Sequence, residues 1–464
     1  MKKEKESIKR KEKMNFLLRI SRMVRYEKGL FVSLFFLTIT AGQASAADIQ
    51  NLSAIKAEKV GMSSERLEGM IALGERYIEN NQVAGMVNLV MRNGKVVHYA
   101  AHGKKGADDN RPLQKDDLFR IYSMTKPITA VALMQLYEQG KFLLNDPVSK
   151  FVPELKGVKV LNAVGELEDQ KTPMTMHQLL THTAGLSYGY EAEVDLVDEA
   201  YFDADIWASK DLDEFALRVA KLPLKFQPGS RYHYSIAVDI TGLVVQRLSG
   251  KPFDVYLREN LFEPLGMEDT FFEVPKNKIS RFLPNHVIDP QNGELMDVSK
   301  IPANHPRAAQ RIRKNVAMLD YENVSLFSGG GGLVSTAMDF AHFAEAMRNG
   351  GLLGKKRILS PKTVNYMAQN HLSPSMQLGG FGVANTSGLG FGLGFGIVTN
   401  PAQAGDIGSA GEFTWGGAAG TNFWIDPVEE IVVVSMIQLM ESPWPLRSEL
   451  HVATYQAITD SYED

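Results

Sequence analysis

The chain has 464 residues and a formal net charge of −4, with 44% hydrophobic residues, 40 glycines and no cysteine. That length allows a large core and more than one lobe. The missing cysteines exclude disulfides, thiolate metal sites and a lipidated cysteine anchor, and no basic block suits nucleic acid.

The first 46 residues read as a secretory signal peptide. A basic region runs to Lys28, an apolar run covers Leu30 to Leu37, and Ala44-Ser45-Ala46 offers a cleavage site. The apolar run is too short for a membrane span. The expected outcome is export, to the periplasm or the medium, with cleavage after Ala46; the competing outcome is an uncleaved anchor. The basic region is long, and Met23 would open a signal of ordinary proportions in place of Met1. Residues 1–46 hold eleven Lys and Arg against four Asp and Glu, so the remaining 418 residues carry −11.

Ser63 or Ser64 caps an expected helix whose apolar positions Leu67, Met70, Ile71, Tyr77 and Ile78 fall at helical spacing. Two β-rich runs, Met86–Arg92 and Lys95–Ala100, flank Asn93-Gly94, a hairpin signal because both turn residues need positive φ. Next comes Ser123-Met124-Thr125-Lys126-Pro127, opening an apolar segment that ends near Gly140. Proline is tolerated in the first turn of a helix, so a helix is expected from about Ser123 to Gly140. Its apolar residues surround it, which predicts burial. Residues three apart share a helix face, which sets Lys126 beside the Ser123 hydroxyl. A lysine there loses hydration, its pKa falls, and it can activate a serine that is weak alone. The same spacing recurs at Ser53 and Lys56, in a polar region with no apolar helix behind it.

Residues 151–320 change character. A short helix is expected over His177–His182, ended by Gly185. Glu191 to Asp213 is acidic and reads as loop. A second helix is expected from Ser235 to Leu248, stopped by Gly250. Gly329–Gly332 forms a glycine-rich turn before a helix over Ala337–Arg348, and it lacks the Lys-Ser/Thr of a P-loop. Gly388 to Gly396 alternates glycine with Leu and Phe, as strands do where backbones pack closely. A second hairpin, Thr421–Ile425 with Ile431–Ile437, and a helix over Leu446–Ile458 close the chain. The expected fold is α/β: an antiparallel sheet built from both termini (47–150 and 321–464) and flanked by helices, plus a mainly helical lobe (151–320).

Three features suit one site. Ser123 with Lys126 is the first. Tyr234, at a turn before a helix, is the second, expected as a phenol of lowered pKa that relays protons; Tyr232 competes for that role and core packing is the ordinary fate of either. The third is Trp415-Gly416-Gly417-Ala418, where glycines let a strand approach a substrate and the Ala418 N–H can pair with that of Ser123 as an oxyanion hole. A simple β-bulge is the plainer reading of those glycines. Gly185-Leu186-Ser187-Tyr188-Gly189 matches the G-x-S-x-G nucleophile elbow but lacks the buried strand before the serine, so Ser187 is expected in a loop at the pocket rim. His177 and His182 lie off one helical face, and there is no HExxH; His182 is expected to hold a loop, with no metal or other cofactor in play.

With these residues assembled, the chain resembles the class C β-lactamase-like serine hydrolases, from about Ser63 to the C-terminus. The blocks that carry the resemblance are Ser123-Met124-Thr125-Lys126, Leu179–Leu186, Pro228-Gly229 leading to Tyr234-Ser235, Pro264–Met267, Gly388–Phe395 and Trp415-Gly416-Gly417. It implies a β-lactamase/penicillin-binding-protein-like fold with the site between two lobes. It implies Ser123 as nucleophile, Lys126 and Tyr234 as the base system, and the Ser123 and Ala418 N–H groups as oxyanion hole. Two departures matter. Tyr234-Ser235-Ile236 stands where true β-lactamases have Tyr-x-Asn, and Trp415-Gly416-Gly417 stands where they have Lys-Thr-Gly. Ile236 and Trp415 would wall the pocket with apolar surface, which favours uncharged esters, as in the family VIII carboxylesterases. The expected activity is therefore ester hydrolysis on a small-molecule substrate. The alternatives are a β-lactamase or D-Ala-D-Ala peptidase, and a catalytically silent protein that binds peptidoglycan or a partner.

Overall fold

The computed structural model describes residues 52–302, 305, 321–376, 378 and 386–462. The expected signal peptide lies outside them. Ser63 caps helix α1 (Ser64–Glu79), its side chain accepting the Arg66 N–H. Strand β1 (Gly85–Arg92) and strand β2 (Lys95–Gly106) form the first hairpin. Asn93 and Gly94 have φ of +50° and +68°, as that two-residue turn demands. Strand β3 (Asp109–Pro112) continues the meander.

Helix α2 (Thr125–Glu138) follows a single 3₁₀ turn over Tyr122–Met124. It is buried nearly all round. Helix α3 (Met176–Leu180) is closed by a capping box from Thr175 and Gln178. The acidic stretch expected as loop instead holds helix α4 (Leu196–Asp203) and the start of helix α5 (Leu212–Val219). Asp195 and Asp211 accept backbone N–H groups as the two N-caps. Acids that read as solvated loop are here helix starts, because a carboxylate at an N-cap satisfies amides that the helix leaves unpaired. Helix α6 (Ala237–Ser249) ends at Gly250 in the left-handed region, and it packs on α2.

Helix α7 (Ala337–Arg348) precedes the second set of strands. These are β4 (Leu389–Phe391), β5 (Gly396–Val398), β6 (Phe413–Gly416), β7 (Asn422–Asp426) and β8 (Ile431–Met436). The main sheet has eight strands in the order β4-β5-β6-β7-β8-β1-β2-β3, and all of its pairings are antiparallel. Strands from both ends of the sequence therefore meet at β8 and β1, with Val87 opposite Met436 and Arg92 opposite Ile431. Successive side chains on a strand face opposite ways. Trp424 and Val433 join Met70, Leu73 and Tyr77 of α1 and Leu446 and Leu450 of helix α8 (Leu446–Tyr455) in one cluster. Phe423 turns to the other face, where its ring lies 4.7 Å from Phe340 of α7.

Arg92 ties the ends of the chain together. It is fully buried and pairs with Glu429 at 2.5 Å. It also donates to the carbonyls of Val60, Gly61 and Asp460. Removing one partner of a buried ion pair leaves an uncompensated charge. Arg92→Ala is expected to lower the unfolding free energy by about 3–5 kcal/mol in denaturant titration.

Candidate active site

Three connections hold the segment before Ser123 in place. Gln438 brackets Arg120 by accepting its N–H at 3.2 Å and donating to its carbonyl at 3.1 Å. The Ile121 N–H donates to the Leu333 carbonyl at 3.1 Å. Tyr122 then takes φ +43°, a conformation that a bulky residue holds only under constraint. Its buried hydroxyl receives Asn285 Nδ2 at 2.9 Å. This kink presents Ser123, partly exposed, at the mouth of α2.

Ser123 Oγ lies 2.6 Å from Tyr234 Oη and 3.2 Å from Lys126 Nζ. Lys126 is 1% exposed, and desolvation lowers its pKa to about 7, against a smaller opposing pull from Asp239. Its Nζ also lies 2.6 Å from the Gly330 carbonyl and 2.8 Å from Tyr188 Oη. The amine is thus available in its uncharged, basic form near neutral pH.

Tyr234 corrects one expectation. Burial pushes its phenol pKa well up, outweighing the hydrogen bond it makes with Ser123. The neighbouring lysine does not offset that effect of burial. Tyr234 is therefore a protonated donor at rest. Tyr232 is buried against His182 and Phe391, with ring centroids 6.0 Å and 5.5 Å away.

Trp415, at the end of β6, packs against Tyr234 and Phe391, with ring centroids 5.6 Å and 5.1 Å apart. Gly417 lies so close to the chain before Ser123 that a Cβ there would collide with the Ile121 carbonyl oxygen and Thr421 Oγ1. Only glycine allows this approach. Gly416 pairs with Asn422 at the end of β6, and Gly417 N–H donates to Thr421 O at 2.7 Å. The turn leaves Ala418 exposed, with no hydrogen bond drawn from its N–H by another group among the described residues. Ser123 heads a helix, where amides lack intrahelical partners. Ile236 differs from expectation: it is fully buried at the N-cap of α6 and exposes no surface to a substrate.

The G-x-S-x-G serine is inert. Ser187 is fully buried and donates its one hydroxyl proton to Asp198, which Lys225 Nζ also holds at 2.9 Å. Ser187 Oγ accepts the Gly189 N–H at 3.3 Å, and His233 Nε2 lies at 3.3 Å. A serine whose proton is already given to a carboxylate, beneath the surface, pins a loop. What that pentapeptide supplies to the site is its tyrosine, Tyr188. His182 likewise holds backbone: its Nδ1 accepts the Ser235 N–H at 3.2 Å, beside Tyr234. The second Ser-x-x-Lys copy is exposed, with Ser53 receiving Lys95 Nζ at 3.2 Å.

Sequence reasoning missed three members of the site. Tyr188 was hidden inside the decoy motif. Asp239 is a buried carboxylate in the first turn of α6; its Oδ1 accepts Ser328 Oγ at 2.5 Å and the Gly330 N–H at 2.9 Å. The Ser328–Gly330 loop brings the Gly330 carbonyl to Lys126. An ionisable residue amid the apolar positions of α6 was the one available signal for Asp239.

A serine hydroxyl between a phenol and an uncharged amine, at the head of a buried helix beside an antiparallel sheet, is the arrangement of a serine hydrolase of the β-lactamase and penicillin-binding-protein type. The comparisons agree: the family model described as Beta-lactamase matches residues 70–456, and the chain belongs to that family. Protein Rv1367c of Mycobacterium tuberculosis is 33% identical over 380 residues, covering 80% of this chain and 90% of the relative. Esterase EstB of Burkholderia gladioli is 32% identical, covering 76% of this chain and 86% of the relative. Among solved structures, EstCE1, a hydrolase with promiscuous acyltransferase activity, superimposes with a TM-score of 0.70 at 24% identity, over 84% of this chain and 99% of that one.

Ser187→Ala leaves the buried Asp198 short of a donor, a loss of about 1–3 kcal/mol. Thermal melting is expected to shift down while labelling of Ser123 by a fluorophosphonate probe persists.

Proposed function

We propose that the protein hydrolyses carboxylic esters through an acyl-enzyme on Ser123. The observation that carries this reading is the Ser123 hydroxyl held between the Tyr234 phenol at 2.6 Å and the desolvated Lys126 amine at 3.2 Å. Lys126 takes the serine proton as Oγ attacks the ester carbonyl, and the carbonyl electron pair moves onto oxygen. The Ser123 and Ala418 N–H groups receive that oxyanion. Collapse expels the alcohol, which Tyr234 protonates, and the Lys126 ammonium restores the phenol. Water then attacks the acyl-enzyme by the same route and releases the acid.

Trp415 supports esters over β-lactams. The Lys-Thr-Gly that would recognise a β-lactam carboxylate is Trp415-Gly416-Gly417 here, an indole without charge. The esterase named among the relatives points the same way. The N-terminal basic and apolar pattern supports export, for which the test is a mature N-terminus at Ala47 in protein recovered from the periplasm or medium.

The purified protein is expected to hydrolyse short-chain aryl esters, and Ser123→Ala to lower kcat/KM by about 10⁴-fold or more. A chromogenic cephalosporin turned over as fast as esters would favour the β-lactamase or peptidase reading. A fluorophosphonate that leaves Ser123 unlabelled would favour a silent binding protein. Because the base must be uncharged, kcat/KM is expected to rise as pH climbs through about 7, the value to which desolvation brings Lys126, and to level off above it. A pH–rate profile on an uncharged aryl ester checks this.

A further inference from the structure

Just beyond β8 the chain continues through Ile437, Gln438 and Leu439, and these residues touch both sides of the site. Gln438 is buried. Its Oε1 accepts the Arg120 N–H at 3.2 Å, and its Nε2 donates to the Arg120 carbonyl at 3.1 Å. Nε2 also donates to the Ile437 carbonyl at 2.8 Å. The carboxamide thus pairs with Arg120 as the peptide group of a neighbouring strand would. On its other edge the short strand Phe119–Arg120 pairs with Val334 and Ser335. Ser123 follows three residues after Arg120.

The next residue reaches the other side. Leu439 N–H donates to the Ala419 carbonyl at 2.9 Å, one residue past Ala418. The Ile437 side chain lies against the same turn, where a Cβ on Gly420 would collide with its Cδ1. The turn is closed within itself by Gly417 N–H to Thr421 O at 2.7 Å and Gly420 N–H to Gly417 O at 3.0 Å. A direct bond between the two segments, Thr421 Oγ1 to the Ile121 carbonyl, is long at 3.4 Å. The firmer tie runs through Gln438 and Leu439.

Gln438 is itself fixed. Its carbonyl accepts the His286 N–H at 3.1 Å and His286 Nδ1 at 2.9 Å. His286 Nε2 accepts the Ala107 N–H at 3.0 Å, so the ring is the neutral tautomer with its proton on Nδ1. The adjacent Asn285 holds the Tyr122 hydroxyl.

We propose that Gln438 is a positioning residue for the oxyanion hole: its carboxamide, together with the Leu439 N–H, sets the separation of the Ser123 and Ala418 N–H groups. This rests on the acyl-enzyme reading of Ser123. Among the described residues no backbone carbonyl takes either N–H. As Ser123 Oγ bonds to the ester carbon, the C=O electron pair moves onto oxygen, and both donors must face that one atom at about 3 Å. One donor comes from the first third of the chain and the other from its last strands. Two consecutive residues hold them, Gln438 on the serine side and Leu439 on the alanine side. A displacement of about 1 Å costs a large factor in rate. Glutamate lacks the N–H bonds, asparagine is one methylene shorter, and methionine has the length without the amide.

The test is Gln438→Met, assayed on an aryl ester and on its thiono counterpart, in which sulfur replaces the carbonyl oxygen. Sulfur is a weak hydrogen-bond acceptor, so the thiono ester draws little from the hole. On the oxo ester kcat is expected to fall about 100-fold, with KM changed less than about twofold. On the thiono ester kcat is expected to fall less than about 10-fold, so the preference for oxygen over sulfur narrows. Gln438→Asn is expected to narrow the preference too, to a smaller degree. Equal losses on both esters would mean that Gln438 supports only the fold or the nucleophile, and would overturn the proposal. A near-normal oxo-ester rate in Gln438→Met would overturn it as well. Should Gln438→Met fail to fold, an unchanged preference in Gln438→Asn overturns it alone. A fluorophosphonate that leaves Ser123 unlabelled in the unmodified protein overturns the acyl-enzyme reading together with this one. Label on Ser123 with an unchanged preference in the Gln438 variants overturns only the role of Gln438.

Discussion

The amine of Lys126 is buried among protein groups and loses the hydration that keeps an ordinary lysine charged. Much of the surrounding architecture serves that one condition. Helix α2 is apolar on every side, so its first turn lies inside the protein. The Ser328–Gly330 loop is pressed between α2 and α6, with Thr129 Oγ1 donating to the Gly329 carbonyl at 2.8 Å and the Leu333 N–H donating to Thr125 Oγ1 at 3.1 Å. Those bonds deliver the Gly330 carbonyl to Nζ. A buried amine with a fixed acceptor is stable without its extra proton and is ready to take one.

Burial acts in opposite senses on the two groups flanking Ser123. It discharges the lysine and keeps the tyrosine protonated, because desolvation disfavours the charged form of each. A base and an acid then stand on either side of one hydroxyl, with no metal needed to separate their roles. Pairs of titratable groups pushed apart by their environments are how one site runs both halves of an acyl transfer near neutral pH. The tryptophan at position 415 fits this economy. A cation there would favour ionisation of Tyr234, whereas an indole packed on the phenol carries no charge.

The scaffold tolerates strain and crowding where these groups meet. Tyr122 holds a positive φ, and Gly417 approaches the Ile121 carbonyl closer than any side chain permits. Both are stabilised from outside the site, by Asn285 on the Tyr122 hydroxyl and by the β6–β7 pairing that carries Gly417. Strain of this kind persists only when neighbouring structure overdetermines it.

The local elements were legible in the sequence because their causes are local. Ser63 caps, Asn93-Gly94 turns, Pro127 sits in a first helical turn, Gly250 stops α6, and the spacing of Ser123 and Lys126 follows from helical geometry alone. The resemblance then gathered Tyr234 and Trp415 toward the same serine. Tertiary structure decided the rest. Only packing buried Ile236 away from any substrate and turned Ser187 into a pin for its loop while setting the adjacent Tyr188 on Lys126. The protonation of Tyr234 and the place of Asp239 depend on desolvation and on groups distant in the chain. Pairwise spacing along a sequence carries helix and turn geometry; it carries neither dielectric surroundings nor the direction of a hydrogen bond, and those are what give each residue of this site its part.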